Sequence, residues 1–273
     1  MIAKKVAEGI RSPENTGKDQ SEVMDKRLYQ YGFSEQNPLT MYNIEQRSRK
    51  ADKVLAVLAT EIKDLSNMSL LDIGCSTGIM TAKYGEKFSR VTGVDIDKPA
   101  IEHAINTYSA ENVRFCLKDG METLFDSTSF DVVICTHIYE HVPDSRKLLT
   151  EIYRLLKPGG YCYFVAANRF TFLEGHYHLP FLSVVPKTVA HLYLKMTGKG
   201  KYYYEKHLTY WKLKKLVSEF EIIDYTGKIV EDPVTYHAED MIKPGSWKQK
   251  LALYVIREAY WAFPTYVWLL HKK

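Results

Sequence analysis

Cysteine is scarce in this chain: four residues in 273, at Cys75, Cys116, Cys135 and Cys162. No two of them have the spacing of a metal or redox pair. All fall in or beside short apolar runs, which makes them small buried thiols of a reducing, cytoplasmic compartment. No stretch reaches the roughly 18 consecutive apolar residues needed to cross a bilayer. The N-terminus lacks an apolar signal-peptide core. Neither sign of charge dominates: 37 Lys and Arg against 33 Asp and Glu leave +4, too little to argue for nucleic acid as a partner. There is no internal repeat and no low-complexity tract. No cluster of acidic ligands stands out along the chain, so no metal is expected.

What is present is length enough for one α/β domain with an elaboration and a strict alternation of elements. Residues 1–45 are polar and punctuated by Pro13, Gly17, Gly32 and Pro38, and read as a loosely held arm. A helix is expected from near Ser48 to Ile62, with Ala51, Val54, Leu55, Leu58 and Ile62 on one face. Strands are then expected at 70–73, 91–95, 113–117, 130–136 and 160–166, with helices near 77–88, 98–109 and 145–156. Asp97 and Asp144 are the natural N-caps, and Pro99 suits a first turn. Lys157-Pro-Gly-Gly160 stops a helix and turns the chain into the fifth strand. Further on, a helix at 209–220, a strand at 221–230, a helix at 246–260 and a closing strand at 265–270 are expected. Short apolar strands alternating with amphipathic helices imply a parallel sheet covered on both faces.

The densest signal is Leu70-Leu-Asp-Ile-Gly-Cys-Ser-Thr-Gly78: a buried strand, a tight glycine loop, then a helix. Gly74 and Gly78 permit a sharp turn and close approach of a ligand. Asp72 can receive a cationic amine or hydroxyls. Asp95 ends the next strand, where a Rossmann-type sheet grips a ribose diol. The loop does not carry the G-x-G-x-x-G of a dinucleotide site, which weighs against a dehydrogenase.

The segment resembles instead the first motif of the class I S-adenosylmethionine-dependent methyltransferases, with Ser76 standing where that family commonly has glycine. The resemblance extends over residues 48–166 through Asp95-Ile96, Asp119-Gly120, Phe130-Asp-Val-Val-Ile-Cys-Thr136 and Leu155-Leu-Lys-Pro-Gly-Gly160. It implies a Rossmann-like, seven-stranded, mostly parallel sheet with an antiparallel last strand and helices on both faces. It also implies S-adenosylmethionine as cofactor, with S-adenosylhomocysteine as product. The family pattern assigns Asp72, Gly74, Cys75, Ser76 and Gly78 to the methionine end, Asp95 and Ile96 to the ribose, Asp119 and Gly120 to adenine, and Thr136 to the border of the methyl group.

The segment after the fifth strand is unusual. Residues 170–211 hold ten aromatic residues and four of the nine histidines: His176, His178, His191 and His207. Ligands of open α/β sheets sit outside the carboxyl ends of the strands, so 170–208 is expected to be an acceptor-binding lid of a domain spanning 46–273. Displacement of a methyl group by an oxygen or nitrogen needs a base, for which histidine is the usual choice. His176, His178 and His137 are the candidates, with Glu174 orienting one of them. The lid is also basic and apolar, which leaves room for peripheral membrane contact.

The function expected is therefore O-methylation of a small-molecule, glycan or lipid-linked acceptor. The competing reading is a non-catalytic binding module of the same fold, membrane-peripheral or not. Ser76 favours it, and the intact Asp72, Asp95 and Asp119 weigh against it. The sequence leaves open the acceptor, the element that receives the methyl group and the oligomeric state.

Overall fold

The computed structural model describes residues 30–273, so the part of the expected arm before Gln30 lies outside the described residues. Two four-residue helices come first, α1 (Phe33–Gln36) and α2 (Pro38–Met41), followed by the long α3 (Ile44–Glu61). The core then alternates: β1 (Ser69–Ile73), α4 (Ile79–Gly85), β2 (Arg90–Asp95), α5 (Lys98–Tyr108), β3 (Val113–Leu117), β4 (Phe130–Thr136), α6 (Ser145–Leu155) and β5 (Leu156–Ala167). The closing elements are α7 (Lys187–Met196), α8 (Tyr210–Leu216), β6 (Glu221–Asp224), α9 (Thr226–Glu231), α10 (Trp247–Ala259) and β7 (Thr265–His271).

The strands form one sheet in the order β3-β2-β1-β4-β5-β7-β6. β1 to β5 are parallel, and β7 runs antiparallel to both β5 and β6. Alternation along each strand sends side chains to opposite faces. Leu71, Ile73, Val133, Cys135 and Phe164 pack on one face with α6. Leu70, Val132, Ile134 and Tyr163 pack on the other with α3 and α4. All four cysteines are free thiols, and three of them are buried. Among the described residues, no helix is long and apolar enough to cross a membrane.

The expected caps are in place. Asp97 accepts from Ala100 N at the start of α5, and Asp144 accepts from Arg146 N and Lys147 N at the start of α6. The expected strand at 221–230 is half strand and half helix. β6 pairs with β7 only through Asp224. One more backbone bond follows, Tyr225 N to the Val267 carbonyl at 2.9 Å, and then a side chain takes over: Val267 N donates to Thr226 Oγ1 at 3.0 Å. Asp224 Oδ1 accepts from Thr226 N at 2.9 Å, turning the chain into α9. A hydroxyl and a carboxylate thus take the bonds a continuing strand would have made, and the ladder ends.

Candidate active site

Chain order reverses between β1 and β4, which opens a crevice at the carboxyl ends of the strands. The glycine loop lies there. Gly74 and Gly78 have φ of 78° and 82°, and Ser76 has φ of 50°. A Cβ on Gly74 would stand 2.2 Å from Ile138, and one on Gly78 2.7 Å from the Ala104 Cβ. These glycines are therefore demanded by the backbone turn and by the protein's own packing, not only by a ligand's approach. Cys75 is buried, with its Sγ against Gly93. Ser76 N donates to Asp95 Oδ2 at 2.8 Å, so the first strand's loop is tied to the second strand's acid.

Asp72 is buried and accepts from Thr81 Oγ1 at 2.6 Å. Burial pushes its carboxyl up to about 6, against the lowering influence of Thr81 and of the Arg47 guanidinium. Burial also raises the Asp95 carboxyl, although the N–H groups of Asp97 and Ser76 work the other way. Arg47, on α3, stands among these acids: burial lowers its pKa while Asp72 and Asp95 support its charge. Beside Asp95 a cleft of about 530 Å³ opens, lined by Tyr31, Ile96, Lys98, Leu117, Lys118 and Asp119. Gly120 packs against Ile73 behind it.

α1 and α2 lie across this end of the sheet. Ser34 N donates to Asp97 Oδ2 at 2.7 Å, and Thr77 Oγ1 donates to the Met41 carbonyl at 2.7 Å.

A second group of polar side chains begins where β4 ends. Thr136 is half-buried, and His137 follows with φ of 56° and its side chain 49% exposed. His137 Nδ1 lies 3.3 Å from Glu140 Oε1. Burial would raise the Glu140 carboxyl, but the His137 hydrogen bond and the neighbouring imidazoles hold it at about 2. The lid folds back onto this turn: Lys206 N donates to the Glu140 carbonyl at 2.8 Å, and Leu208 N donates to Tyr139 Oη at 3.1 Å. A small core of Leu179, Leu182, Ala190, Leu194 and Tyr203 holds the lid together.

The fold brings three of the expected acceptor residues to this turn and leaves the fourth apart. Glu174 is buried; it accepts from the N–H groups of His176 and Tyr177 and lies 2.6 Å from His176 Nδ1. Burial would lower the His176 imidazole, yet Glu174 and Glu205 raise it above its ordinary value. His176 Nε2 points the other way and lies 3.0 Å from His141 Nε2. His178 is exposed with φ of 52°; its main-chain N–H donates to the Glu174 carbonyl and its carbonyl accepts from Lys199 Nζ.

Sequence reasoning passed over Arg47, Glu140 and Glu205, gave His141 no role beyond bracing its loop, and counted His207 among the histidines of the 170–211 segment without assigning it a role. Arg47 carries a readable signal: it lies four, seven and eleven residues before Ala51, Val54 and Leu58, so a cation is in register with the buried stripe of α3. Glu140, between two histidines in His137-Ile-Tyr-Glu140-His141, was also readable.

Acids at or just past the carboxyl ends of neighbouring parallel strands, a glycine turn and a cleft beside the ends of β2 and β3 define a Rossmann-like nucleoside-binding domain. Residues 71–164 match the family of methyltransferase domains. The ubiquinone biosynthesis O-methyltransferase of Idiomarina loihiensis is 33% identical over 122 residues, covering 42% of this chain and 49% of that protein. Its counterpart in Psychrobacter cryohalolentis is 28% identical over 191 residues, covering 68% and 70%. Among solved structures, the plantazolicin methyltransferase BpumL, in complex with a monoazolic desmethylPZN analog and SAH, superposes with a TM-score of 0.56 at 20% identity, covering 93% of this chain and 99% of that one. Residues 71–164 thus carry a methyltransferase domain, and the relatives and the fold support the class I S-adenosylmethionine-dependent type. The chain spans about half the length of the first of these O-methyltransferases.

Proposed function

We propose that this chain is a cytoplasmic S-adenosylmethionine-dependent methyltransferase that methylates a hydroxyl of a small-molecule acceptor. One observation carries the reading: Asp72, Asp95 and Asp119 stand at or just past the carboxyl ends of three neighbouring parallel strands, with Arg47 among the first two and Asp119 lining the cleft. The residues present fit the cofactor. The negative potential of the acids suits a sulfonium and an ammonium group, and Arg47 suits a carboxylate. The cleft at Ile96, Leu117 and Asp119 is of a size for adenosine. Gly74, Cys75, Ser76 and Gly78 shape the turn, Gly120 backs the cleft, and Thr136 borders the transferring end. When bound, S-adenosylmethionine supplies a methyl group on a positively charged sulfur.

The chain's own residues align the nucleophile, take its proton and exclude water. Ile138 packs against Gly74, so the turn after β4 touches the glycine loop. In that turn, His137 donates Nδ1–H to the ionised Glu140 and presents Nε2 to an acceptor hydroxyl. The hydroxyl proton passes to Nε2, and the buried carboxylate steadies the imidazolium. Such a base is worth roughly 10²–10⁴ in rate. Residues 170–208 act as the acceptor lid, with Glu174 and His176 facing the acceptor's polar end. The exposed Phe172, Phe181, Leu192 and Met196 of the lid favour an acceptor with an apolar or lipid portion over a glycan, and the same face supports peripheral membrane contact. The names of the relatives favour oxygen as the methylated atom.

The test is titration calorimetry with S-adenosylmethionine and S-adenosylhomocysteine on wild type and Asp95→Ala, followed by methyl transfer to hydroxylated acceptors. Binding that is lost in Asp95→Ala, with turnover that falls 10²–10⁴-fold in His137→Ala at unchanged cofactor affinity, is expected. Absence of binding by the folded protein overturns the reading. Binding without turnover on any acceptor leaves a cofactor-binding module.

A further inference from the structure

Residues 170–208 and the β4–α6 turn together assemble a set of side chains that take no part in the proton transfer to His137. One ligand atom each from His141, His176 and Glu205 lies within 4.8 Å of the others, and so do atoms of Glu174, His176 and His207. The participants come from three separate stretches of chain: 141, 174–176 and 205–207. Glu205 is only 3% exposed, and its Oε2 has no hydrogen-bond partner among the described residues. A buried carboxylate oxygen without a partner is costly, on the order of 1–3 kcal/mol or more for a charged group, and calls for a cation. Lys187, whose charge bears on Glu205, does not answer: its Nζ donates to the carbonyls of Tyr203 and Glu205 instead.

The histidines are set for a different cation. Glu174 takes the Nδ1–H of His176, which fixes the tautomer and leaves the Nε2 lone pair directed at His141. A carboxylate behind the imidazole, with the other nitrogen turned inward, is the usual support of a metal-bound histidine. The two Nε2 atoms are 3.0 Å apart, near the ~3.3 Å between ligands of a tetrahedral ion at about 2.0–2.1 Å. On the far side, Tyr203 Oη lies 2.8 Å from His207 Nδ1, which turns the other ring nitrogen of His207 away from the tyrosine.

We propose that His141, His176 and Glu205 bind one divalent first-row transition-metal ion, with zinc as the reference case, oriented by Glu174 and flanked by His207. Two imidazoles and one carboxylate select such an ion over magnesium, which prefers an all-oxygen set. Three protein ligands leave a fourth position open, as in catalytic rather than structural zinc sites. The site faces the His137 turn, so the open position accepts an oxygen of the acceptor and orients it toward the base. Only this role toward the acceptor rests on the function proposed above; the binding of the ion does not.

The experiment uses the full chain, stripped with a chelator and titrated with Zn²⁺ by calorimetry, with metal content measured on the untreated protein. Co²⁺ serves as a spectroscopic probe, since tetrahedral coordination gives intense visible absorption. One equivalent per chain is expected. Affinity is expected to fall at least 100-fold in His141→Ala and Glu205→Gln, and roughly 10–100-fold in Glu174→Gln. The exposed His237→Asn serves as the control and is expected to bind as wild type does. S-adenosylhomocysteine binding, measured on the same samples, reports folding and tests the cofactor site separately. No stoichiometric binding by protein that still binds S-adenosylhomocysteine overturns the proposal. So does binding that survives both His141→Ala and Glu205→Gln in protein whose thermal unfolding is that of wild type.

Discussion

Asp72 shows how one residue can be costly to the fold and useful to the site. Its folded pKa near 6 stands above the 3.8 of an ordinary aspartate because burial penalises the charged form. Between about pH 4 and 6 the unfolded chain has released this proton and the folded chain has kept it. Folding stability from this group therefore falls as pH rises through that window, by on the order of 3 kcal/mol in total. Asp72→Asn is expected to remove the slope and to stabilise the unliganded protein at pH 7, as urea unfolding at pH 4.5 and pH 7 would report. A cationic amine at Asp72 favours the ionised form, so cofactor affinity in wild type is expected to rise as pH increases through 6. In Asp72→Asn affinity should be weaker and flat. The sequence made Asp72, Asp95 and Asp119 legible because each is defined locally, as an acid closing an apolar run. Glu205 was not legible: its significance comes from burial beside residues far away in the chain, which no local pattern encodes.

At the scale of elements, the parallel half of the sheet was legible because its strands are bounded by turn and cap residues. β3 and β4 fall where the apolar runs end, and Asp97 and Asp144 cap the helices expected of them. The misreading of 221–230 has a physical cause. Ile222, Ile223, Ile229 and Val230 look like one apolar stretch, but the ladder with β7 runs only to Trp268 opposite Asp224 and closes with the bond from Tyr225 N to the Val267 carbonyl. Beyond that the Thr226 hydroxyl, in a residue only 2% exposed, receives the Val267 N–H. Thr226→Val is therefore expected to leave a buried donor unpaired and to cost roughly 1–3 kcal/mol. Thr226→Ser should recover most of that loss in urea unfolding. If Thr226→Val proves neutral, the hydroxyl is not what ends the ladder.

Taken whole, the molecule places a rigid sheet between two coverings that meet at its carboxyl end. One is the lid, fixed at its root by Asn168, whose Nδ2 donates to the carbonyls of Trp261 and Phe263. The other is the pair α1 and α2, whose one buried residue is Ser34. These two helices are held by a few polar contacts, and each contact reaches a different part of the site. Ser34 touches Asp97 at the cleft, and Met41 touches Thr77 in the glycine loop. Gln30 Nε2 donates to the His141 carbonyl at 2.6 Å, beside the histidine cluster. Tyr31 lines the cleft itself. With so little apolar burial, this segment has the low local stability of an element that opens without unfolding the sheet. A nucleoside entering the cleft beside Tyr31 adds the contact area that the helices lack, so binding and closure are coupled. Hydrogen exchange across residues 30–43 is therefore expected to be fast in the free protein. It should slow at least tenfold with saturating S-adenosylhomocysteine, while β1 and β4 remain slow throughout. Thr77→Val, which removes the tie to the Met41 carbonyl, is expected to weaken that protection and lower cofactor affinity severalfold. If calorimetry reports binding while exchange over 30–43 is unaltered, the helices are a fixed wall and the cofactor enters by another side.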